Sequence, residues 1–256
     1  MRLALLALGA FLALPALVPT ARAQVMDPEP LPKMRWSFDG PFGTFDRAAE
    51  QRGLQVWQEV CSNCHSMKEA YYRNLTGIGL SADQVKAFAA GITITGGATD
   101  DSGQPIDRPA LPADHFRTPF ANEKAARAAN NGALPPDHSL IEKAREGGAT
   151  YIAALLEGYR DPPAGMKMGD GMNYNIAFEG RQIAMAQPLH DGQVTYSDGT
   201  PATVEQMSRD VATFLTYMAN PEMEQRKRMG VRIVLFLAGM TVVTYAVKRK
   251  IWSDVH

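Results

Sequence analysis

Cys61-Ser62-Asn63-Cys64-His65 contains the chain's only two cysteines and places a histidine directly after the second. On a helical turn, residues three apart share a face, so both thiols can meet the edge of one flat ligand while His65 turns toward its centre. C-x-x-C-H of this form is the attachment signature of a c-type haem. Cys61 and Cys64 would form thioethers to it, and His65 Nε2 would be the proximal iron ligand. The other ring nitrogen is expected to donate to a backbone carbonyl that fixes the tautomer. Three rival readings stay open here. Structural zinc needs four ligands, and no second cysteine pair or histidine cluster completes a set. A thioredoxin-like dithiol calls for a βαβ context that the flanks do not offer. The third is an ordinary disulfide or a pair of buried thiols followed by an accidental histidine.

Working outward, Met1-Arg2, the apolar run from Leu3 to Leu14, the break at Pro15 and Ala21-Arg22-Ala23 compose a secretory signal. Residues 1–23 are therefore expected to be a signal peptide, with a retained anchor as the alternative. A second apolar run, Ile233 to Val247, carries no charge. Extended back to Met229 it gives about 19 residues, or roughly 28 Å of helix, close to one bilayer core. Arg232 near its start can snorkel to the interface. Lys248-Arg249-Lys250 and Trp252 follow as interface residues would, and a buried core helix is the alternative. Arg226-Lys227-Arg228 balances the basic cluster at the far end, so charge does not set the orientation, whereas the leader does. The expected order is a periplasmic haem domain over 24–225, an anchor over 226–250 and a cytoplasmic tail over 251–256. This would be single-pass in a bacterial inner membrane.

The net charge of −1 hides an asymmetry. Residues 24–225 carry 26 Asp and Glu against 17 Lys and Arg, so the exported lobe is acidic. That argues against nucleic acid and for steered encounter with a basic protein partner, although a solvated acidic surface without a partner has the same composition. About 200 residues is roughly twice a minimal haem wrap, which predicts large loop insertions.

Taken in order, Trp36 to Phe45 alternates aromatics with glycines and reads as a loop packed on the domain. Asp46 is a candidate cap for an amphipathic helix carrying Val56, Trp57 and Val60, which delivers the haem motif from its C-terminal end. Trp57 reads as core packing rather than an electron relay, and Gly53 weakens the helix slightly. Residues 91–120 show no sustained period and are expected to be a long loop. Its acids Asp100, Asp101, Asp107 and Asp114 form a candidate docking surface. A short helix over Asn122 to Asn131, a rigid turn at Leu134-Pro135-Pro136-Asp137 lining one haem face, and a helical pattern from Ser139 to Leu156 broken at Gly147-Gly148 follow.

The irregular stretch from Asp161 to Leu189 holds Met166, Met168, Met172 and Met185. A Met/His ligand pair raises a haem's potential and suits electron transfer, so one methionine of this loop is the natural sixth ligand. Met67 lies too close to His65 to reach the opposite face, and Met207 and Met218 fall on a packing stripe. The last domain helix starts at Thr203 and Gln206 in capping-box spacing and places Val204, Met207, Val211, Phe214, Leu215 and Met218 on one face, ready to pack on the haem-motif helix.

Several longer strings carry a resemblance: Trp36-Ser37-Phe38 with Gly43-Thr44-Phe45-Asp46, Gln51-Arg52-Gly53, Val60 through Met67, Ala125 through Asp137, Asp198 through Thr203, and Arg226-Lys227-Arg228-Met229-Gly230. Together they span most of the mature chain, and it resembles the cytochrome c1 family, haem subunits of the cytochrome bc1 complex. The resemblance implies a mainly α, cytochrome c-type haem domain with loop insertions and one C-terminal transmembrane helix. It implies one covalent haem c on Cys61 and Cys64, with His65 and Met185 on the iron. It further implies Arg145 as a cation near a propionate, and Asn130, Pro136 and Tyr151 lining the pocket. A His/His pair using His138 or His190 is the second choice. The implied function is the redox subunit of ubiquinol–cytochrome c reductase. It would pass single electrons from the Rieske iron-sulfur protein to a soluble c-type cytochrome, with cytochrome b as a further partner in a dimeric complex and the quinone sites on other subunits. A free membrane-anchored cytochrome c shuttle and a haem-based sensor are the alternatives.

Overall fold

Asp46 opens the first helix: its carboxylate accepts the backbone N–H groups of Ala48 and Ala49 at 3.0 and 3.2 Å, satisfying donors that the helix itself cannot. The computed structural model describes residues 27–255, so the expected signal peptide lies outside the described residues. The helices are α1 (Arg47–Glu59), α2 (Ala82–Ala90), α3 (Glu123–Ala129), α4 (Gly148–Glu157), α5 (Val204–Ala219) and α6 (Met223–Ile251). Two small antiparallel ladders pair β1 (Thr93–Thr99) with β2 (Pro105–Pro109) and β3 (Asn173–Tyr174) with β4 (Gln182–Ile183). The fold is mainly helical, as the sequence implies.

The core is built where α1 crosses α5. Leu54, Val56 and Trp57 of α1 are buried, as are Met207, Val211, Phe214, Leu215 and Met218 of α5. The crossing is close because position 53 is glycine: a Cβ there would lie 2.1 Å from the Asp210 carbonyl oxygen and 2.7 Å from Phe214 Cβ. Gly53 thus admits the partner backbone rather than simply weakening α1. Trp57 packs edge-on to Phe116 at 5.1 Å between centroids, in keeping with the core reading. Arg52 fastens the same crossing. It donates from Nε and Nη2 to the Asp210 carboxylate at 2.9 and 3.0 Å, and from Nη1 to Asp198 at 2.9 Å. Thr203 Oγ1 caps α5 by accepting from Gln206 N. The Gln206 amide donates to Asp210 rather than back to the cap, so only half of the expected capping box forms.

Residues 91–120 are not the featureless loop expected. β1 and β2 form a hairpin in which Thr93 faces Pro109 and Ile94 faces Arg108, with the register shifting before Thr99 meets Pro105. The ladder is hidden in the sequence because its residues are small and polar, and because Gly96 and Gly97 at φ +97° and +71° kink it. Three of its acids are used locally. Asp107 accepts from Thr95 Oγ1, Asp114 takes a two-pronged bond from Arg108, and Asp100 holds the turn through Ser102 and Gln104. The helix expected from Ser139 starts only at Gly148. Residues 139–147 are turns, and Gly147 at φ +86° lies outside helical space.

α6 leaves the domain only after its first turns are tied down. Glu224 accepts from the Phe45 N–H at 2.8 Å and from Arg47 at 2.9 Å, while Lys227 donates to the Phe38 and Gly43 carbonyls. Beyond that, no residue of α6 is buried. The helix is long and apolar enough to cross a membrane, and none of its apolar window is packed inside the domain, which rules out the buried-core alternative.

Candidate haem-binding site

α1 runs directly into the motif. After Val60, residues Cys61–Asn63 form a single 3-10 turn, closed by bonds from Cys64 N and His65 N to the Cys61 carbonyl at 3.1 and 2.9 Å. Ser62 Oγ and Asn63 Nδ2 donate back to the Gln58 and Glu59 carbonyls, covering acceptors that the helix end leaves open. In this tight turn Cys61 is half-buried, Cys64 exposed and His65 buried.

His65 Nδ1 lies 2.8 Å from the Pro136 carbonyl oxygen. A carbonyl only accepts, so Nδ1 carries the proton and Nε2 keeps its lone pair free for a metal. Burial, opposed by that bond and by Asp137, pushes the ring below the usual imidazole range and keeps it neutral, as ligation requires. The strap from Pro136 to Ser139 is stitched to the motif on several sides. Asp137 accepts from Ser66 Oγ at 2.7 Å, and from Lys68 N and Ser139 N at 2.9 Å. Ser139 Oγ accepts from Glu69 N, and His138 N donates to the Ser66 carbonyl at 2.7 Å.

The same strap sets the His138 ring against His65, with centroids 4.0 Å apart and planes 18° apart. Two imidazoles on opposite sides of one iron point nitrogens at each other and cannot stack face to face. His138 is therefore excluded as a distal ligand, while His190 is exposed.

The remaining expected residues gather elsewhere. Met185 follows β4, is half-buried, and its carbonyl accepts from Tyr159 Oη at 3.0 Å. Tyr151 lies by Tyr159 and beside Arg145. Burial pushes its hydroxyl up, and the Arg145 charge holds it back. Arg145 is exposed, with one guanidinium nitrogen bonded to its neighbouring Ala144 carbonyl. The Asn130 amide donates to the Ala126 carbonyl at the end of α3. No hydrogen bond among the described residues joins this group to His65. Sequence reading named Pro136 as a lining residue but missed the stitching by Asp137, the stacking of His138 and the Tyr159 bond. Only the Pro-Pro-Asp turn gave any local signal for the first.

The donor set decides between the rival chemistries. Among the described residues no three His, Cys, Asp or Glu side chains cluster as a metal would need, so a purely protein-ligated zinc finds no partners. Cys61 and Cys64 are not disulfide-bonded to each other. A redox dithiol needs a low-pKa thiolate, whereas burial pushes the Cys61 thiol up to about 12 at the unfavourable C-terminal end of a helix. A haem would find here two uncommitted thiols to hold it and one oriented neutral imidazole for its iron. Fold and site together define a haem-binding protein with one C-terminal helix long and apolar enough to cross a membrane.

Comparison with known proteins makes this specific. The family model of the cytochrome C1 family matches residues 36–255. The chain is 46% identical over 258 residues to the cytochrome b/c1 of Bradyrhizobium diazoefficiens, covering 92% of this chain and 37% of that longer protein. It is 44% identical to cytochrome c1 of Rhodospirillum rubrum, over 88% of each. It is also 46% identical to the mitochondrial cytochrome c1 haem protein of Saccharomyces cerevisiae, over 88% of this chain and 72% of that one. The chain belongs to the cytochrome C1 family, and with that membership goes an electron-transfer role.

Proposed function

We propose that this chain is the haem c subunit of a ubiquinol–cytochrome c reductase. It would take one electron at a time from the Rieske iron-sulfur protein and deliver it to a soluble c-type cytochrome. The observation that carries the reading is the His65 Nδ1 to Pro136 carbonyl contact of 2.8 Å inside an intact C-x-x-C-H turn. In this reading Cys61 and Cys64 would hold one haem through thioethers, and His65 and Met185 would ligate its iron. Arg145 offsets a propionate, and Asn130, Pro136 and Tyr151 line the pocket. Bound haem supplies a one-electron iron couple. The protein's own work is to aim Nε2, keep water from the buried imidazole and hold the Met185 backbone through Tyr159.

Residues 1–23 are read as a cleaved leader, 24–225 as a periplasmic domain, 226–250 as the anchor in the inner membrane and 251–256 as a cytoplasmic tail. The excess of acid over base in residues 24–225 supports electrostatic steering of a basic acceptor. Cytochrome b and the Rieske protein are the expected partners in a dimeric complex. Affinity purification through a tag on this chain tests the assignment: cytochrome b and an iron-sulfur subunit should co-purify. Isolation of the anchored cytochrome alone would point to a free shuttle instead. Met185→Leu should remove the methionine-to-iron absorption band and lower the reduction potential, and an unchanged spectrum would remove Met185 from the iron.

A further inference from the structure

We propose that His138 is a positioning residue for the axial imidazole: its ring, stacked on one face of His65, sets the plane that His65 presents to the iron. The inference rests on His65 being a ligand. Rotation of an axial imidazole about its bond to the metal is a soft motion. The Pro136 carbonyl fixes the direction of Nδ1–H at 2.8 Å, but one hydrogen bond leaves tilt and rocking of the ring free. A flat ring 4.0 Å away and within 18° of parallel removes that freedom by covering a whole face.

The backbone that carries the stacked ring is held at several points. His138 N donates to the Ser66 carbonyl at 2.7 Å, one residue past the ligand. Its neighbours Asp137 and Ser139 bond to Ser66, Lys68 and Glu69. The segment that carries His138 is thus bonded to the segment that carries His65 just past the ligand, and the His65 ring bonds back to the Pro136 carbonyl two residues before His138.

Packing alone gives no reason for an imidazole here. His138 Nδ1 is buried and has no partner among the described residues. A leucine would fill the space without leaving a buried nitrogen unsatisfied. What the histidine offers that leucine lacks is a flat face, and that face lies on His65.

The test is electron paramagnetic resonance of the oxidised holo-protein, because the largest g-value of a low-spin haem follows the orientation of its axial ligand planes. Reduction potential is measured beside it. His138→Leu should shift and broaden the largest g-value and lower the potential as water gains access to the ligand, while His138→Phe, flat but without nitrogens, should restore the line. Should His138→Leu leave both quantities unchanged, or His138→Phe fail as His138→Leu does, the proposal is overturned. If His138→Leu does not mature, the wild-type protein with isotope-labelled histidine decides. In the reduced state, nuclear Overhauser contacts between the two imidazole rings support the stacking, and their absence overturns it. A wild-type protein lacking any histidine-ligated low-spin signal would instead mean that the ligand assignment of His65 itself has failed.

Discussion

Replacing Gly53 by alanine adds one methyl group at the closest point between α1 and α5. The new Cβ would lie 2.1 Å from the Asp210 carbonyl oxygen, 2.6 Å from its carbonyl carbon and 2.7 Å from Phe214 Cβ. Ordinary contact needs more than an ångström beyond the first of these, so one helix must move. The obstructing atom belongs to backbone, so no side-chain rotation relieves it. Overpacking of a core costs about 1–3 kcal/mol, and rigid backbone places this site at the upper end. Alanine returns about 1 kcal/mol through its better helix propensity. The net loss is therefore about 2 kcal/mol, which for a domain of this size lowers the apparent melting temperature by roughly 4–8 °C. Thermal denaturation of the detergent-solubilised protein, followed by far-ultraviolet circular dichroism, measures it. Trimming Phe214 in the same chain should not rescue the loss, because the shortest contact is to Asp210 backbone. A Gly53→Ala protein that melts at or above the wild-type temperature would refute the reasoning, since propensity would then have outweighed the steric term.

Other perturbations follow from named contacts. Asp137→Ala removes the acceptor for Ser66 Oγ, Lys68 N and Ser139 N and should cost about 1–3 kcal/mol, seen as a lower melting temperature, while Asp137→Asn should lose less. Burial works against the Asp137 charge, but bonds from Ser139, Ser66 and Lys68 still hold its carboxyl below the usual value; its contribution is present above the unfolded pKa and should fade as pH falls through the folded one. Glu50 behaves oppositely: burial, against the Arg47 pairing, pushes its carboxyl from 4.5 to about 7, so its stabilising effect is full below 4.5 and lost as pH rises through 7. Glu50→Gln should abolish a fall of up to about 3 kcal/mol between pH 5 and 8, and parallel melting curves for the two proteins would rule this out. A chain cut after Arg228 keeps Glu224 and Lys227 on the domain and should melt above one cut after Asn220, which loses both ties.

What could be read in the sequence was what depends on near neighbours. The Asp46 cap, the apolar positions of α1 and the C-x-x-C-H turn each depend on residues only a few positions apart, and each forms as its spacing requires. The need for a carbonyl on His65 Nδ1 was legible from metal-site chemistry. Its supply by Pro136, 71 residues away, rests on the path of the chain. Gly53 looked like a local weakness because the α5 backbone that requires it lies more than 150 residues on. The β1–β2 ladder escaped because Thr, Gly and Asp bury too little to leave an apolar rhythm. His138 looked like a possible distal ligand because residue type is visible in a sequence and facing geometry is not.

One chain of contacts links the base of α6 to the C-x-x-C-H turn. Arg47 bridges Glu50 of its own helix and Glu224 of α6, while Glu224 also takes the Phe45 N–H just before α1. The start of α1 is thereby fixed to the long apolar helix α6, and Cys61 stands just past the other end. Thirteen residues separate the two ends, about 20 Å of helix. Halfway along, Gly53 admits the α5 backbone and Arg52 pairs with Asp210, which fastens α1 to α5. α1 thus has α6 tied to its first turn and the C-x-x-C-H turn continuous with its last.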